Sequence, residues 1–314
     1  MTRALILGVN GQDGSYLAEE LLARGREVTG VGRQAASRWV DPSCFRYVTL
    51  DIVNHSALDE LLAALRPDVI YHLAVLHGPA GHAYEAVWRD ALAVNLGALH
   101  VCLEHLRTRT PHARLFYPSS LKAFGSRPPQ LITEETPRVS DCLYGVTKNA
   151  AYELICFYRR WHALWVSSGF FFNHDSPRRP GSFFLPRLAA WLAAKRQGSE
   201  APTLATLDFW CDWGSSREFM GIVADQMQAE APTDLVFATG RPVYAASLAG
   251  RLACAAKLQS SSPPAVGSPP FRADIRRMRA LLGRAPDEGA FEVVAWILRE
   301  RYGISLDSRS EIAP

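Results

Sequence analysis

The chain has 314 residues, of which 48% are hydrophobic and 21% charged, with a formal net charge of +3. That balance suits a globular protein with a large core, and the small, dispersed positive charge argues against nucleic acid as a partner. Its six cysteines, Cys44, Cys102, Cys142, Cys156, Cys211 and Cys254, are scattered without a CxxC pair, so neither a zinc site nor a disulfide framework is expected. No apolar stretch is long enough to span a bilayer and the first residues run directly into a strand, which predicts no membrane association and a cytoplasmic location.

The apolar run Ala4 to Leu7 reads as a buried parallel strand, followed by Gly8-Val9-Asn10-Gly11-Gln12-Asp13-Gly14. Leu17, Leu21 and Leu22 then recur at helical spacing up to Gly25, a helix-stop residue. Strand, glycine loop and helix in this order form a pyrophosphate device, because glycines let the backbone approach the phosphates and the helix start offers free N–H groups. The spacing is GxxGxxG, and a second strand follows over Glu27 to Val31. Past it stands Arg33 where an acidic residue would hold the ribose 2′-hydroxyl of NAD; an arginine suits the 2′-phosphate, so NADP is expected, with NAD possible.

A third strand, Arg46 to Leu50, ends at Asp51, and a helix over Ala57 to Leu65 leads to the strand Val69 to Leu73. The alternation continues through a helix over Ala91 to Leu106 and a strand over Arg114 to Tyr117. This rhythm predicts an α/β fold with a doubly wound parallel sheet of the Rossmann kind. A cofactor domain is expected over residues 1–170 and a smaller nucleotide-sugar domain over 171–314, with an interleaved boundary.

After that strand come Pro118-Ser119-Ser120, and 24 residues past Ser120 stands Tyr144-Gly145-Val146-Thr147-Lys148. Tyr144 and Lys148, four apart, share one helix face. An ammonium one turn away favours the phenolate of Tyr144, and a serine hydroxyl nearby can hold the same substrate oxygen. Together they can remove a carbinol proton while its hydride goes to a nicotinamide.

Four stretches resemble the GDP-mannose 4,6-dehydratases: the opening GVNGQDGSYL, YGVTKNAAYELICFYR over Tyr144 to Arg159, FNHDSPRRPG over Phe172 to Gly181, and DWGSSREF over Asp212 to Phe219. The resemblance spans nearly the whole chain and implies a nucleotide diphosphate sugar as substrate, with the GDP form favoured. It assigns Gly8, Asn10, Gly11, Gln12, Asp13 and Gly14 to the pyrophosphate, Asp51 and Ile52 to the adenine side, and Leu73, Ala74 and His77 to the nicotinamide side. It also places His174 and Arg179 on the cofactor beside Tyr144 and Lys148, and turns Ser119, Asn173, Arg187 and Arg217 toward the sugar nucleotide.

The chain departs from this family in three places. Ser120-Leu121-Lys122 stands where dehydratases usually read Thr-Ser-Glu or Thr-Asp-Glu. Leu121 removes the group that protonates the leaving C6 hydroxyl, and Lys122 replaces the carboxylate that takes the C5 proton; a lysine could do so only as a neutral amine in a desolvated site. The segment Gln34 to Tyr47 is shorter than in the dehydratases, where it supports a tetramer, so a homodimer is expected instead. Trp210-Cys211 stands where the family commonly carries Lys-Arg. Residues 260–270 are rich in Ser and Pro and read as a loop; tail helices are expected over Ile275 to Leu282 and Ala290 to Tyr302. Three outcomes stay open: a 4,6-dehydratase, a C4 oxidoreductase or epimerase without dehydration, and a silent sugar-nucleotide binder, the last disfavoured by the intact Tyr144 and Lys148.

Overall fold

The computed structural model describes residues 2–77, 83–258 and 267–306, so most of the Ser/Pro-rich stretch lies outside the described residues. In chain order the strands are β1 (Arg3–Leu7), β2 (Glu27–Gly32), β3 (Arg46–Thr49), β4 (Val69–His72), β5 (Arg114–Ser120), β6 (Leu131–Ile132), β7 (Trp165–Phe171), β8 (Asn173–Asp175), β9 (Trp210–Cys211), β10 (Trp213–Ser215), β11 (Leu235–Phe237), β12 (Val243–Tyr244) and β13 (Arg272–Ala273). The helices are α1 (Gln12–Ala23), α2 (His55–Leu65), α3 (Trp88–Leu92), α4 (Ala98–Thr108), α5 (Leu143–His162), α6 (Phe184–Gln197), α7 (Ser216–Gln226), α8 (Ala245–Ala255), α9 (Arg276–Leu282) and α10 (Ala290–Tyr302).

Seven strands form one sheet in the order β3-β2-β1-β4-β5-β7-β11, every pairing parallel. The strands read as unbroken apolar runs because both faces are covered. Ile6, Tyr71, Phe116 and Phe237 pack toward Leu17, Leu21, Phe219 and Ile222 of α1 and α7. Leu5, Leu7, Ile70, Leu115 and Val166 pack toward Leu58, Leu62, Leu99, Leu103 and Ile155 of α2, α4 and α5. The strand order reverses between β1 and β4, and ligands of open α/β sheets bind in the crevice outside such a switch point.

The smaller unit is built round Leu188, Leu192, Leu248, Leu252, Val293 and Ile297 of α6, α8 and α10. The chain leaves the sheet after β7 and returns to it as β11. The expected helix over Ala91 to Leu106 is interrupted: Ala93–Gly97 form a π turn between α3 and α4. One widened turn leaves the apolar periodicity almost unchanged, and such turns collect at functional sites.

Candidate functional site

The glycine loop has the geometry a dinucleotide requires. Gly8 has φ of +91°, and a Cβ there would sit 2.7 Å from the backbone nitrogen of Ala74. A Cβ on Gly14 would sit 2.3 Å from the Gly8 carbonyl oxygen, so the first turn of α1 rests directly on the loop. Gly11 is the N-cap of α1 and no side chain caps the helix, which leaves its first N–H groups free for an anion. This cradle fits the pyrophosphate of a nicotinamide dinucleotide.

Other loop residues act within the protein. The Asn10 amide donates to Gln34, the Ala36 carbonyl and the Tyr47 hydroxyl, each at 3.0 Å, and its oxygen accepts from the Arg38 backbone at 2.9 Å. The short segment after β2 thereby folds onto its own subunit, with Val40 and Phe45 buried against Val9. Arg33 is exposed, with no ion-pair partner among the described residues. Ile52 is buried, and Asp51 is exposed and caps its own turn by accepting from the Val53 N–H at 3.2 Å. Leu73 is buried, its N–H donating to the Leu7 carbonyl at 3.0 Å.

Asp13 and His174, 161 residues apart, form an ion pair at 3.0 Å. The His174 Nδ1 faces the Phe172 carbonyl at 2.8 Å and its Nε2 faces Asp13, so both ring nitrogens meet acceptors and the imidazolium satisfies both. Burial works against that charge, but Asp13 outweighs it and holds the imidazole above its ordinary value. Burial likewise opposes the Asp13 carboxylate, yet His174 and the Ser216 hydroxyl, 2.7 Å away, hold it well below the usual range. The Gln12 side chain donates to the His174 carbonyl at 3.3 Å and accepts from Ser176 at 2.8 Å. In these contacts the polar atoms of Asp13, Gln12 and His174 bolt the start of α1 to β8 and α7.

The residues expected to transfer the proton lie where β5 ends and α5 begins. Ser120 closes β5 and accepts from the Lys122 N–H at 3.2 Å. Cys142 caps α5, its sulfur accepting from the Gly145 N–H at 3.4 Å, and a Cβ on Gly145 would meet the Lys122 carbonyl at 2.3 Å. Only glycine there lets the helix start dock against the strand end. Tyr144 is buried, with the His77 ring 4.6 Å and the Tyr84 ring 5.6 Å from its own. His77 Nδ1 lies 2.9 Å from the Tyr84 hydroxyl. Burial pushes the Tyr144 phenol up and Tyr84 adds to this, while Arg179 and a hydrogen bond with Ser120 pull it down.

Lys148 is fully buried below Tyr144, donating to the Pro118 carbonyl at 2.7 Å and the Tyr117 hydroxyl at 3.3 Å. Burial brings its ammonium down to about 7. The Tyr117 hydroxyl donates in turn to the Asn95 carbonyl at 2.8 Å. Asn95 sits in the π turn; its side chain donates to Thr147 at 3.1 Å and accepts from the Leu76 N–H at 3.1 Å. Asn95 and Tyr117 had no signal in the sequence: an asparagine in an apolar helix and a tyrosine in a buried strand both read as core.

On the sugar side, Asn173 opens β8 and donates to the Cys211 sulfur at 2.6 Å, and Ser119 is buried with no hydrogen-bond partner among the described residues. Arg179 lies 3.1 Å from Asp175 and 3.7 Å over the Phe183 ring, an ion pair without hydrogen-bond alignment. Arg187 is exposed in the first turn of α6. Arg217 is placed elsewhere: it pairs with Glu288 at 2.9 Å and lies 4.5 Å over the Trp296 ring. No hydrogen bond, ion pair or ring contact among the described residues links it to Tyr144, Asn173 or Lys122. Lys122 is exposed and has no ion-pair partner among the described residues.

A parallel sheet with a glycine cradle at its switch point and a Ser-Tyr-Lys group at the adjoining strand end define an enzyme of the extended short-chain dehydrogenase class. The family model for GDP-mannose 4,6 dehydratase matches residues 5–259. Over 256 residues the chain is 32% identical to GDP-mannose 4,6-dehydratase of Vibrio cholerae, covering 76% of this chain and 68% of that relative. The chain therefore belongs to the GDP-mannose 4,6-dehydratase family. Two solved structures share the fold: UDP-glucose 4-epimerase of Thermotoga maritima with UDP-glucose (TM-score 0.79, 18% identity, 94% of this chain and 98% of that one). The second is dTDP-glucose 4,6-dehydratase of Bacillus anthracis with NAD (TM-score 0.76, 15% identity, 96% and 98%). No helix among the described residues is long and apolar enough to cross a membrane.

Proposed function

We propose that this chain oxidises the C4 hydroxyl of a nucleotide-linked hexose, GDP-linked by preference, with NADP, and that dehydration does not follow. The observation that carries the reading is the junction of β5 and α5, which sets Ser120 and Tyr144 side by side above a buried Lys148. Tyr144 takes the hydroxyl proton, Ser120 holds the same oxygen, and Arg179 offsets the cost of the phenolate. Lys148, Tyr117 and the Asn95 carbonyl form a hydrogen-bonded line under the phenol through which charge can be balanced. NADP, when bound, accepts the C4 hydride. Gly8, Gly11 and Gly14 would cradle its pyrophosphate, and Arg33 would meet the 2′-phosphate.

Water loss needs two further groups: a base for the C5 proton and an acid for the C6 hydroxyl. Lys122 is an exposed cation, and Leu121 packs with the apolar cluster of Phe124, Phe170 and Phe172. Neither can serve. The preference for GDP rests on the family model and on the GDP-mannose 4,6-dehydratases it resembles.

A homodimer through α5 is part of the same reading. Val146, Phe157 and Trp161 lie on one face of that helix and are 42%, 50% and 66% exposed. Phe157 and Trp161, one turn apart, form the exposed apolar pair on which this dimer reading rests. The test of the reaction is to incubate the protein with NADP and a panel of GDP- and UDP-hexoses and weigh the products. Loss of two hydrogens supports the proposal; loss of water overturns it in favour of plain dehydration; an unchanged mass also overturns it, and NMR of the recovered sugar then separates an epimerase from a binder.

A further inference from the structure

A π turn is rare, and it persists where contacts from outside the helix favour it. In the turn between α3 and α4 the Ala98 N–H reaches back five residues to the Ala93 carbonyl. The same carbonyl meets His55 Nε2, in the first turn of α2, at 3.3 Å. A carbonyl only accepts, so Nε2 carries the hydrogen. The imidazole also packs on the backbone of the turn: a Cβ on Gly97 would sit 2.4 Å from its Cε1 and 2.8 Å from Nε2, so a side chain at 97 would push the ring off that carbonyl. The start of α2 is itself fixed, because Asn54 caps it by accepting from the Ala57 N–H at 3.2 Å.

Two residues past Ala93, Asn95 carries the shape of the turn to Lys148. Its carbonyl accepts from the Tyr117 hydroxyl at 2.8 Å; with the hydrogen directed there, the Tyr117 oxygen offers a lone pair to the Lys148 ammonium at 3.3 Å. The Asn95 side chain ties the turn to Thr147, the residue before Lys148, at 3.1 Å. Winding residues 93–97 back into an α-helix would rotate the Asn95 carbonyl about the helix axis and release Tyr117. We infer that His55 is a positioning residue for Lys148: it pins the π turn that makes Tyr117 an acceptor for the ammonium. Lys148 has its task from the C4-oxidation reading, on which this part rests; the contacts that hold it stand without that reading.

The test reads Lys148 in cofactor-free protein, without substrate. Urea unfolding is followed across the neutral and alkaline range for each protein and for its Lys148→Met counterpart, which subtracts the other titrating groups. The difference gives the pH at which stability starts to rise, about 7 in the wild type, where folded Lys148 loses its proton. The titratable side chains that meet the ammonium are Tyr117 of β5 and Tyr144 of α5, their ring centres 4.4 and 5.7 Å from it, and His72 of β4 packs behind Tyr117 at 5.4 Å; all three are the same in every protein compared. Losing an acceptor disfavours the ammonium, so in His55→Ala the rise is expected to begin about one pH unit lower, a ten-fold shift of the proton equilibrium. Gly97→Ala should give the same shift, and His55→Gln, whose amide donates from a similar reach, should restore the wild-type onset. With substrate, kcat is expected to fall in the first two variants and to return in the third, while KM stays within a few-fold. An onset unmoved in His55→Ala overturns the inference. So does an onset that rises, as water entering a loosened helix would cause, and so does a glutamine variant that fails to restore it. Absence of turnover by the wild-type protein with every sugar would sink the C4-oxidation reading and leave the unfolding onset to decide on His55.

Discussion

The Asp13–His174 pair gives the most searching test of how the cofactor loop is held. The two charges are 3.0 Å apart with side chains 23% and 11% exposed. At an effective dielectric of about 20 their attraction is about 5 kcal/mol, and desolvation consumes part of it. Asp13→Asn or His174→Gln alone leaves one buried charge without its counterion and is expected to cost about 3 kcal/mol in urea unfolding at pH 6. The double variant has no buried charge left, so its cost falls short of the sum, giving a coupling energy of about 2 kcal/mol. The pH dependence follows from the direction of each shift. His174 is raised above its ordinary value of 6.5, so the stability it contributes is fully present below that value and is lost as pH rises through the folded value. Asp13 is lowered below 3.8, so its share is present above that value and is lost as pH falls through the folded one. The coupling should therefore be large at pH 6 and collapse at pH 9; titrations shared by all four proteins cancel in the cycle. Additive single costs, or a coupling unchanged between pH 6 and pH 9, would refute the assignment of an imidazolium.

Lys148 works in the opposite direction. Its folded value is about 7 against 10.5 ordinarily, so the unfolded chain binds more protons between these values and stability should rise with pH across that window; Lys148→Met should flatten the rise in cofactor-free protein. Tyr144→Phe should lower turnover by about 10²–10⁴-fold while sugar-nucleotide binding, read by calorimetry, stays within a few-fold of wild type. In fluorescence titrations wild-type protein is expected to bind NADP more tightly than NAD, and Arg33→Asp to invert the order; an initial preference for NAD would remove that role from the arginine. Trp161→Glu should halve the mass seen by light scattering if α5 carries the dimer, and an unchanged mass would place the interface elsewhere.

What could be read from the sequence was whatever declares itself locally. The tail helices α9 and α10 end where Gly283 and Gly303 adopt φ of +67° and +65°, a stop that the letters alone announce. The glycine loop and the Tyr144–Lys148 spacing are local in the same sense. The Asp13–His174 bolt is not: its partners are 161 residues apart and meet only because β8 and α7 come to the start of α1. Asn95 was hidden for a different reason. A single π turn shifts the helical register by less than the scatter of apolar positions, yet it turns a carbonyl toward Tyr117. The contacts of Arg217 with Glu288 and Trp296 were equally out of reach, since those partners lie 71 and 79 residues further along the chain.

The retained and the altered residues fall into two chemical sets. Hydride removal from C4 needs a proton acceptor, a hydroxyl to hold the oxygen and a cradle for the dinucleotide, and the chain keeps Tyr144, Ser120 and Gly8, Gly11 and Gly14. Elimination across C5 and C6 needs an acid and a base, and the positions expected to supply them carry Leu121 and Lys122. Random decay of an unused enzyme has no reason to respect that division. Nor does it have reason to keep Lys148 in an apolar site where its charge is costly, held by Pro118 and Tyr117, when a methionine would fill the space without the penalty. A buried lysine beside Ser120 and Tyr144, costly to stability, fits the C4-oxidation reading proposed above. The replacement of one half of the chemistry beside a preserved other half is what an enzyme that stops at the ketone would show.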